Sequence, residues 1–283
     1  MNRRKTSLCI ILLLLAAIGM LVYGALVGRT RLEETHVLLS VPEWKAGSPE
    51  VKLAVLTDTH AMPWDGAYME RIVRTVLAGK PDAVLLLGDY LNGRPGRPAM
   101  EAEQFGEYLR PLAALPCFVV LGNHDYYHGS FRFRRIFRQL GMKMLEGRRE
   151  DVQLNGQKLS FGGVRCLCTF RTPGRIQPPV PGRPYILLSH TPLGADYAPP
   201  GTLITLAGHT HGGQVCLPGG KSIIRPDADT PRWRASGLHR IGEQWEYVSR
   251  GLGTSILPIR LFCRPELLWV TLRPGNTAPS ASY

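Results

Sequence analysis

Val51-Lys52-Leu53-Ala54-Val55-Leu56-Thr57-Asp58-Thr59-His60 is the stretch that decides the fold of this 283-residue chain. Its apolar run over 51–57 reads as a buried strand, and the run ends at once in an aspartate and a histidine. Alone, Asp-x-His is an ordinary strand-to-loop turn. Four more apolar runs end in the same way. Ala83–Leu87 leads into Gly88-Asp89, and Phe118–Leu121 into Gly122-Asn123-His124-Asp125. Tyr185–Leu188 leads into Ser189-His190, and Leu203–Ala207 into Gly208-His209-Thr210-His211. Five of the eight histidines are spent at these exits, far more than scattered turns would use.

Outward from these runs, helical stretches at Met69–Ala78, around Ala99–Leu109 and at Phe131–Leu140 alternate with the first three strands. That β-α-β rhythm predicts a largely parallel sheet. The second half differs. Asn155-Gly156 between Val152–Leu154 and Lys158–Phe161 is a hairpin signal, and Glu246–Ser249 and Leu267–Leu272 add strands with few helices between them. A second, mixed sheet packed on the first is expected, with 171–184 and 192–201 as surface loops.

Open α/β sheets bind ligands beyond the carboxyl ends of their strands, so the five clusters are expected to converge. Carboxylate and imidazole donors without thiolates suit Mn, Fe or Zn better than Ca or Mg. There are donors enough for two ions sharing a carboxylate. Two divalent cations against two aspartates leave positive charge that fits an anionic phosphate, and such a pair can activate water for in-line attack.

The composition agrees. With 44% hydrophobic and 20% charged residues the chain is neither disordered nor collagen-like, and no internal repeat points to a solenoid. The net charge of +12 favours anionic partners: phosphates, nucleic acid or acidic lipid. Leu8–Gly28 is 21 residues without charge, long enough to cross a hydrocarbon core as a helix, and it lacks a convincing cleavage site. An uncleaved anchor over 1–28 is expected, then a polar linker over 29–50, a domain over 51–273 and a flexible tail over 274–283. Arg3, Arg4 and Lys5 before the run, against Arg29 and Arg31 after it, favour an exported domain. Five cysteines outside the anchor cannot all pair, which argues the other way and leaves the side of the membrane open.

The ordered set D-x-H…GD…GNHD…H…GHxH, from Asp58 to His211, resembles the calcineurin-like metallophosphoesterases. The resemblance implies a four-layer α/β/β/α sandwich of two mixed sheets. It implies one metal on Asp58, His60, Asp89 and His211, and a second on Asp89, Asn123, His190 and His209, manganese being favoured. His124 would act as general acid or stabiliser at the leaving oxygen, with Asp125 orienting its ring. Beyond the core motifs, Ser249-Arg250-Gly251-Leu252-Gly253-Thr254, Pro258-Ile259-Arg260 and Arg264-Pro265-Glu266 are similar to membrane-anchored members that include bacterial phosphodiesterases. Some relatives are UDP-2,3-diacylglucosamine pyrophosphatases of lipid A synthesis.

The expectation is therefore a phosphoesterase in the cell (inner) membrane, acting on a phosphate-containing small molecule or a lipid-linked substrate. A nuclease or phosphoprotein phosphatase is the alternative. No stacking platform with interleaved basic residues argues for specific nucleic acid. A scaffold that binds a partner without turnover would have lost ligands, and none is lost. On a helix, Phe133, Ile136, Phe137 and Leu140 form one stripe among Arg132, Arg134, Arg135 and Arg138. That face either packs on the sheet or rests on a membrane or lipid.

Overall fold

A computed structural model describes residues 3–94, 96–223 and 229–282. In chain order, α1 (Arg3–Leu26) and β1 (Glu33–Val41) precede β2 (Val51–Leu56), α2 (Gly66–Ala78) and β3 (Ala83–Leu86). Then come α3 (Ala102–Leu109), β4 (Cys117–Val119), α4 (Asn123–Tyr127), α5 (Ser130–Gln139) and β5 (Lys143–Met144). The second half holds β6 (Arg149–Leu154), β7 (Gln157–Gly163), α6 (Leu167–Phe170), β8 (Tyr185–Leu188) and β9 (Thr202–Ala207). It ends with β10 (Gly237–Ile241), β11 (Gln244–Val248), β12 (Glu266–Pro274) and β13 (Ser280–Ser282).

These strands form two mixed sheets, in the orders β13-β1-β12-β2-β3-β4-β5 and β10-β11-β9-β8-β7-β6. In the first, β2 to β5 run parallel; in the second, β7, β8, β9 and β11 do. Parallel strands covered on both faces need unbroken apolar runs, which is why β3 and β8 are buried at every residue. The sheets pack through Leu53, Val55, Leu85 and Phe118 on one side and Phe161, Ile186, Leu188 and Leu206 on the other. The outer face of the first sheet carries Met69, Ile72 and Val76 of α2, Phe105 of α3, and Phe133 and Phe137 of α5. Among the described residues only short pieces, including Leu167 of α6, cover Tyr185 and Leu187 on the second sheet's outer face. The fourth layer is thin.

The stretch 29–50 is not simply a linker. Its β1 pairs in parallel with β12 from Glu33↔Glu266 to Val41↔Pro274. Val37, Leu39 and Val41 alternate into the inter-sheet core, a period-two pattern masked by the polar and Pro/Gly-rich sequence around it. Part of the supposed flexible tail is ordered as well, since β13 pairs antiparallel with β1 and Thr277 hydrogen bonds Ser40 (2.6 Å). The stripe of α5 takes the sheet-packing alternative: Phe133, Ile136 and Phe137 are buried, while Arg132, Arg134 and Arg135 pair with Glu101, Glu103 and Glu146. It is not a membrane face.

Candidate metal centre

Each of β2, β3, β4, β8 and β9 delivers its polar exit to one rim of the sandwich. Three groups there have ligand atoms within 4.8 Å of one another: Asp58–His60–His211, His60–Asp89–His124 and Asp89–His190–His209. Asp89 belongs to two of them. Its Oδ2 lies 3.4 Å from His60 Nε2, 3.2 Å from His190 Nε2 and 3.9 Å from His124 Nε2. Asp58 Oδ1 lies 3.8 Å from His60 Nε2 and 3.6 Å from His211 Nε2. Asn123 opens α4 beside them and is buried. All seven residues expected to hold metal are thus at this rim.

The backbone is bent to present them. Asp58, His60, Asp89, His209 and His211 have φ between 38° and 71°. Non-glycine residues rarely adopt this region, at a cost of about 1–3 kcal/mol each. Neighbouring strands hold the bend: Asp58 N–H donates to Gly88 O (2.9 Å), His60 N–H to Asp89 O (3.1 Å), and Gly253 N–H to Asp58 O (2.6 Å). The motif glycines make room. A Cβ on Gly122 would stand 2.1 Å from Asp89 Oδ1, and one on Gly208 would stand 2.2 Å from Asp58 Oδ2.

Each aspartate spends one oxygen on the scaffold and aims the other at imidazoles. Asp58 Oδ2 accepts from Thr57 Oγ1 (2.6 Å) and His209 N–H (2.9 Å). Asp89 Oδ1 accepts from His124 N–H (2.8 Å). His190 Nδ1 donates to Leu87 O (2.9 Å), which turns Nε2 inward as a lone pair. His124 Nδ1 likewise donates to Gly93 O (2.7 Å).

Charge and hydrogen bonding show that this donor set fits metal ions. The buried atoms Asp58 Oδ1, His60 Nδ1 and Asn123 Oδ1 have no hydrogen-bond partner among the described residues, a costly state for polar groups. Imidazole nitrogens confront each other at 3.0 Å (His211–His60) and 3.2 Å (His209–His190). Burial opposes ionisation of Asp58 and Asp89, yet the histidines around them outweigh it and hold both carboxyls below their usual range. Burial pulls His60 down, but Asp58 and Asp89 lift it to about 9, and Asp89 lifts His190 against burial. The carboxylates thus draw positive charge into the cluster. For His124 burial wins, pulling the ring down to about 4.

Asp125 does not orient His124. Its carboxylate accepts three backbone N–H groups, from Asp89 (2.9 Å), Tyr90 (2.9 Å) and Gly122 (2.8 Å), while the His124 ring is fixed by Gly93 O. The reason is hydrogen bonding: both carboxylate oxygens of Asp125 are taken up by the loop amides after β3 and β4. Sequence reading also gave no role to Arg260. Buried, it donates to His211 O (3.3 Å), Arg250 O (2.6 Å), Gly251 O (3.1 Å) and Gly253 O (2.6 Å). An arginine inside an apolar segment, Ile256–Leu261, was the available signal. Cys168, exposed, stands 3.4 Å from His209 Nε2.

A two-sheet sandwich whose strand exits gather buried carboxylates and imidazoles defines a metal-dependent phosphoester hydrolase. The chain belongs to the calcineurin-like phosphoesterase family, whose model matches residues 51–217. It is 30% identical to an uncharacterised metallophosphoesterase of Aquifex aeolicus, covering 80% of this chain and 87% of that protein. It is also 30% identical to phosphodiesterase YaeI of Escherichia coli, over 68% of this chain and 71% of the other. A transmembrane protein with a metallophosphoesterase domain from Danio rerio is 27% identical over 95% of this chain, which spans 63% of that relative.

Proposed function

We propose that the protein is a membrane-anchored phosphodiesterase or pyrophosphatase using two divalent metal ions, with manganese the favoured pair. Asp58, His60, Asp89 and His211 would hold one ion, and Asp89, Asn123, His190 and His209 the other. When bound, such a pair supplies Lewis acidity at phosphoryl oxygens and lowers the pKa of water. Asp89, whose Oδ2 faces three imidazoles, would be the carboxylate common to both sets. His124 stands beside Asp89 with its Nδ1–H committed to Gly93 O, so its Nε2 is the ring atom free to take up a proton, and once protonated it would serve the leaving oxygen as acid. Asp125 acts only as a brace, tying the loops after β3 and β4 together.

The observation that carries the anchored reading is α1. Among the described residues one helix is long and apolar enough to cross a membrane, Thr6–Thr30, and only 6% of its apolar stretch is buried. Bare apolar surface of this extent is compatible with lipid and not with water. We assign α1 as a single-pass anchor in the cell (inner) membrane. Its end is tied to the domain: Arg260 N–H donates to Gly24 O (3.1 Å), and Arg29 pairs with Asp65 (2.9 Å) next to the β2 exit. A site fixed this close to the bilayer suits a lipid-linked phosphate, UDP-2,3-diacylglucosamine being the named candidate.

The test is a Mn-supplemented panel on the detergent-solubilised full chain, comparing a phosphomonoester, a phosphodiester and UDP-2,3-diacylglucosamine. Preference for the diester or the lipid nucleotide is expected; preference for the monoester overturns the substrate reading. A reporter fused to the C-terminus reads which side of the membrane carries the domain.

A further inference from the structure

Where α1 meets the domain, a cavity of about 650 Å3 is lined by Met20 and Tyr23 of the helix and by Arg31, Arg250, Arg264 and Phe262. It is separate from the metal cluster, none of whose seven expected ligands lines it. Arginine outnumbers acid in its wall. Arg260 is the fourth arginine, against Glu33 and Glu266. Glu266 binds Arg250 (2.9 Å), and Glu33 is shared between Arg250 (2.8 Å) and Arg264 (3.1 Å). Arg31 hydrogen bonds the neutral hydroxyl of Tyr23 (3.0 Å), and Arg260 donates to backbone carbonyls. Among the described residues two positive charges are left over, at the depth where the apolar helix ends and a bilayer's headgroups begin.

The loop beside this cavity has an apolar tip. Ile256 is 97% exposed and held at φ 65°, Leu257 is 60% exposed, and Phe262, at φ 51°, is 52% exposed. A bare β-branched residue in left-handed backbone is unfavourable twice over, in water and in conformation. The same loop grips α1: a Cβ on Gly24 would lie 2.8 Å from Ile259 Cγ2, and one on Gly28 would lie 2.2 Å from Arg260 O. The tip is therefore continuous with the apolar helix.

We propose that this cavity binds the phosphate headgroup of an anionic phospholipid, with Ile256, Leu257 and Phe262 entering the acyl region beside α1. The proposal rests on α1 crossing a membrane, as assigned above. It is tested with the full-length, metal-loaded protein in lipid nanodiscs and in detergent. Native mass spectrometry would count retained phosphatidylglycerol and phosphatidylcholine for wild type and for the double variant Arg31→Ser, Arg264→Ser. Wild type is expected to hold phosphatidylglycerol in preference, and the double variant to hold it about 30-fold more weakly, at about 1 kcal/mol for each basic residue. Ile256→Ser should weaken retention of both lipids without changing the preference between them.

Equal retention of the two lipids by wild type, or no loss in the double variant, overturns the proposal. Displacement of phosphatidylglycerol by equimolar glycerol 1-phosphate would mean a soluble-phosphate site and overturn it too. Hydrolysis of a water-soluble phosphodiester in detergent should stay within about twofold of wild type in all variants, since none touches the cluster. That readout separates the proposal from the enzymatic reading. Extraction of the wild-type chain from membranes by alkaline carbonate would instead remove the anchor on which the proposal depends.

Discussion

The two halves of the cluster are walled differently. Asp58, His60 and His211 are sealed, with side chains 0–7% exposed, and their backbone is gripped by Gly88, Asp89, Gly253 and Arg260. On the other side His124 is 16% exposed, His209 is half-buried, and both border a mouth where Cys168 and Tyr127 reach solvent. The first half is closed to solvent; the second is partly open to it at His124 and His209, although its His190 is sealed too. The difference predicts that substitutions of Asp58, His60 and His211 act on metal retention and stability, and those of residues in the open half that are not proposed as ligands, His124 and Cys168, on turnover and substrate affinity.

Asp89 stands between the halves and should show the largest effect. Asp89→Ala removes the carboxylate proposed to be shared and is expected to lower kcat/KM by about 10^4 or more, with metal lost from both halves by elemental analysis. His124→Ala comes next. It should cut kcat by roughly 10^2–10^4 while leaving metal content unchanged, the signature of a group acting on the leaving oxygen. Metal loss in the His124 variant, or near-normal turnover in either, would break the division.

In the sealed half, Arg260→Met strips partners from the carbonyls of His211, Arg250, Gly251 and Gly253. A destabilisation of about 3–5 kcal/mol is expected, read as a fall in denaturation midpoint, with weakened metal binding. Asp125→Asn is milder. It puts an NH2 where the carboxylate meets the amides of Asp89, Tyr90 and Gly122, and should cost about 1–3 kcal/mol. Its folded fraction should hydrolyse substrate with an unchanged pH profile, because the His124 ring is held by Gly93 instead. A shifted profile would restore the orienting role expected from sequence.

The contrast also explains what was legible in the sequence. Ligand-type side chains follow apolar strands within a few residues, so Asp58, Asp89 and His190 announced themselves through local pattern, and buried parallel strands such as β3 and β8 through composition. What braces them comes from far away in the chain. Arg260 reaches His211 across 49 positions and Asp125 reaches Asp89 across 36, pairings that no local periodicity encodes. Strand β1 hid for a related reason: its partner β12 lies more than two hundred residues later, and its burial alternates instead of forming a solid run.

The smallest expected effect lies at the mouth. Cys168 Sγ is 3.4 Å from His209 Nε2, and serine can keep that hydrogen bond with little change in volume. Cys168→Ser should therefore leave kcat/KM within about threefold of wild type, under about 0.7 kcal/mol. Cys168→Trp is the informative partner. If the open half is the entrance, bulk there should raise KM while kcat holds, because the indole obstructs binding without touching Asp58, His60 or His211. A fall in kcat with KM unchanged would mean that Cys168 bears on the reacting groups through His209, and the open half would then be part of the machinery as well as its doorway.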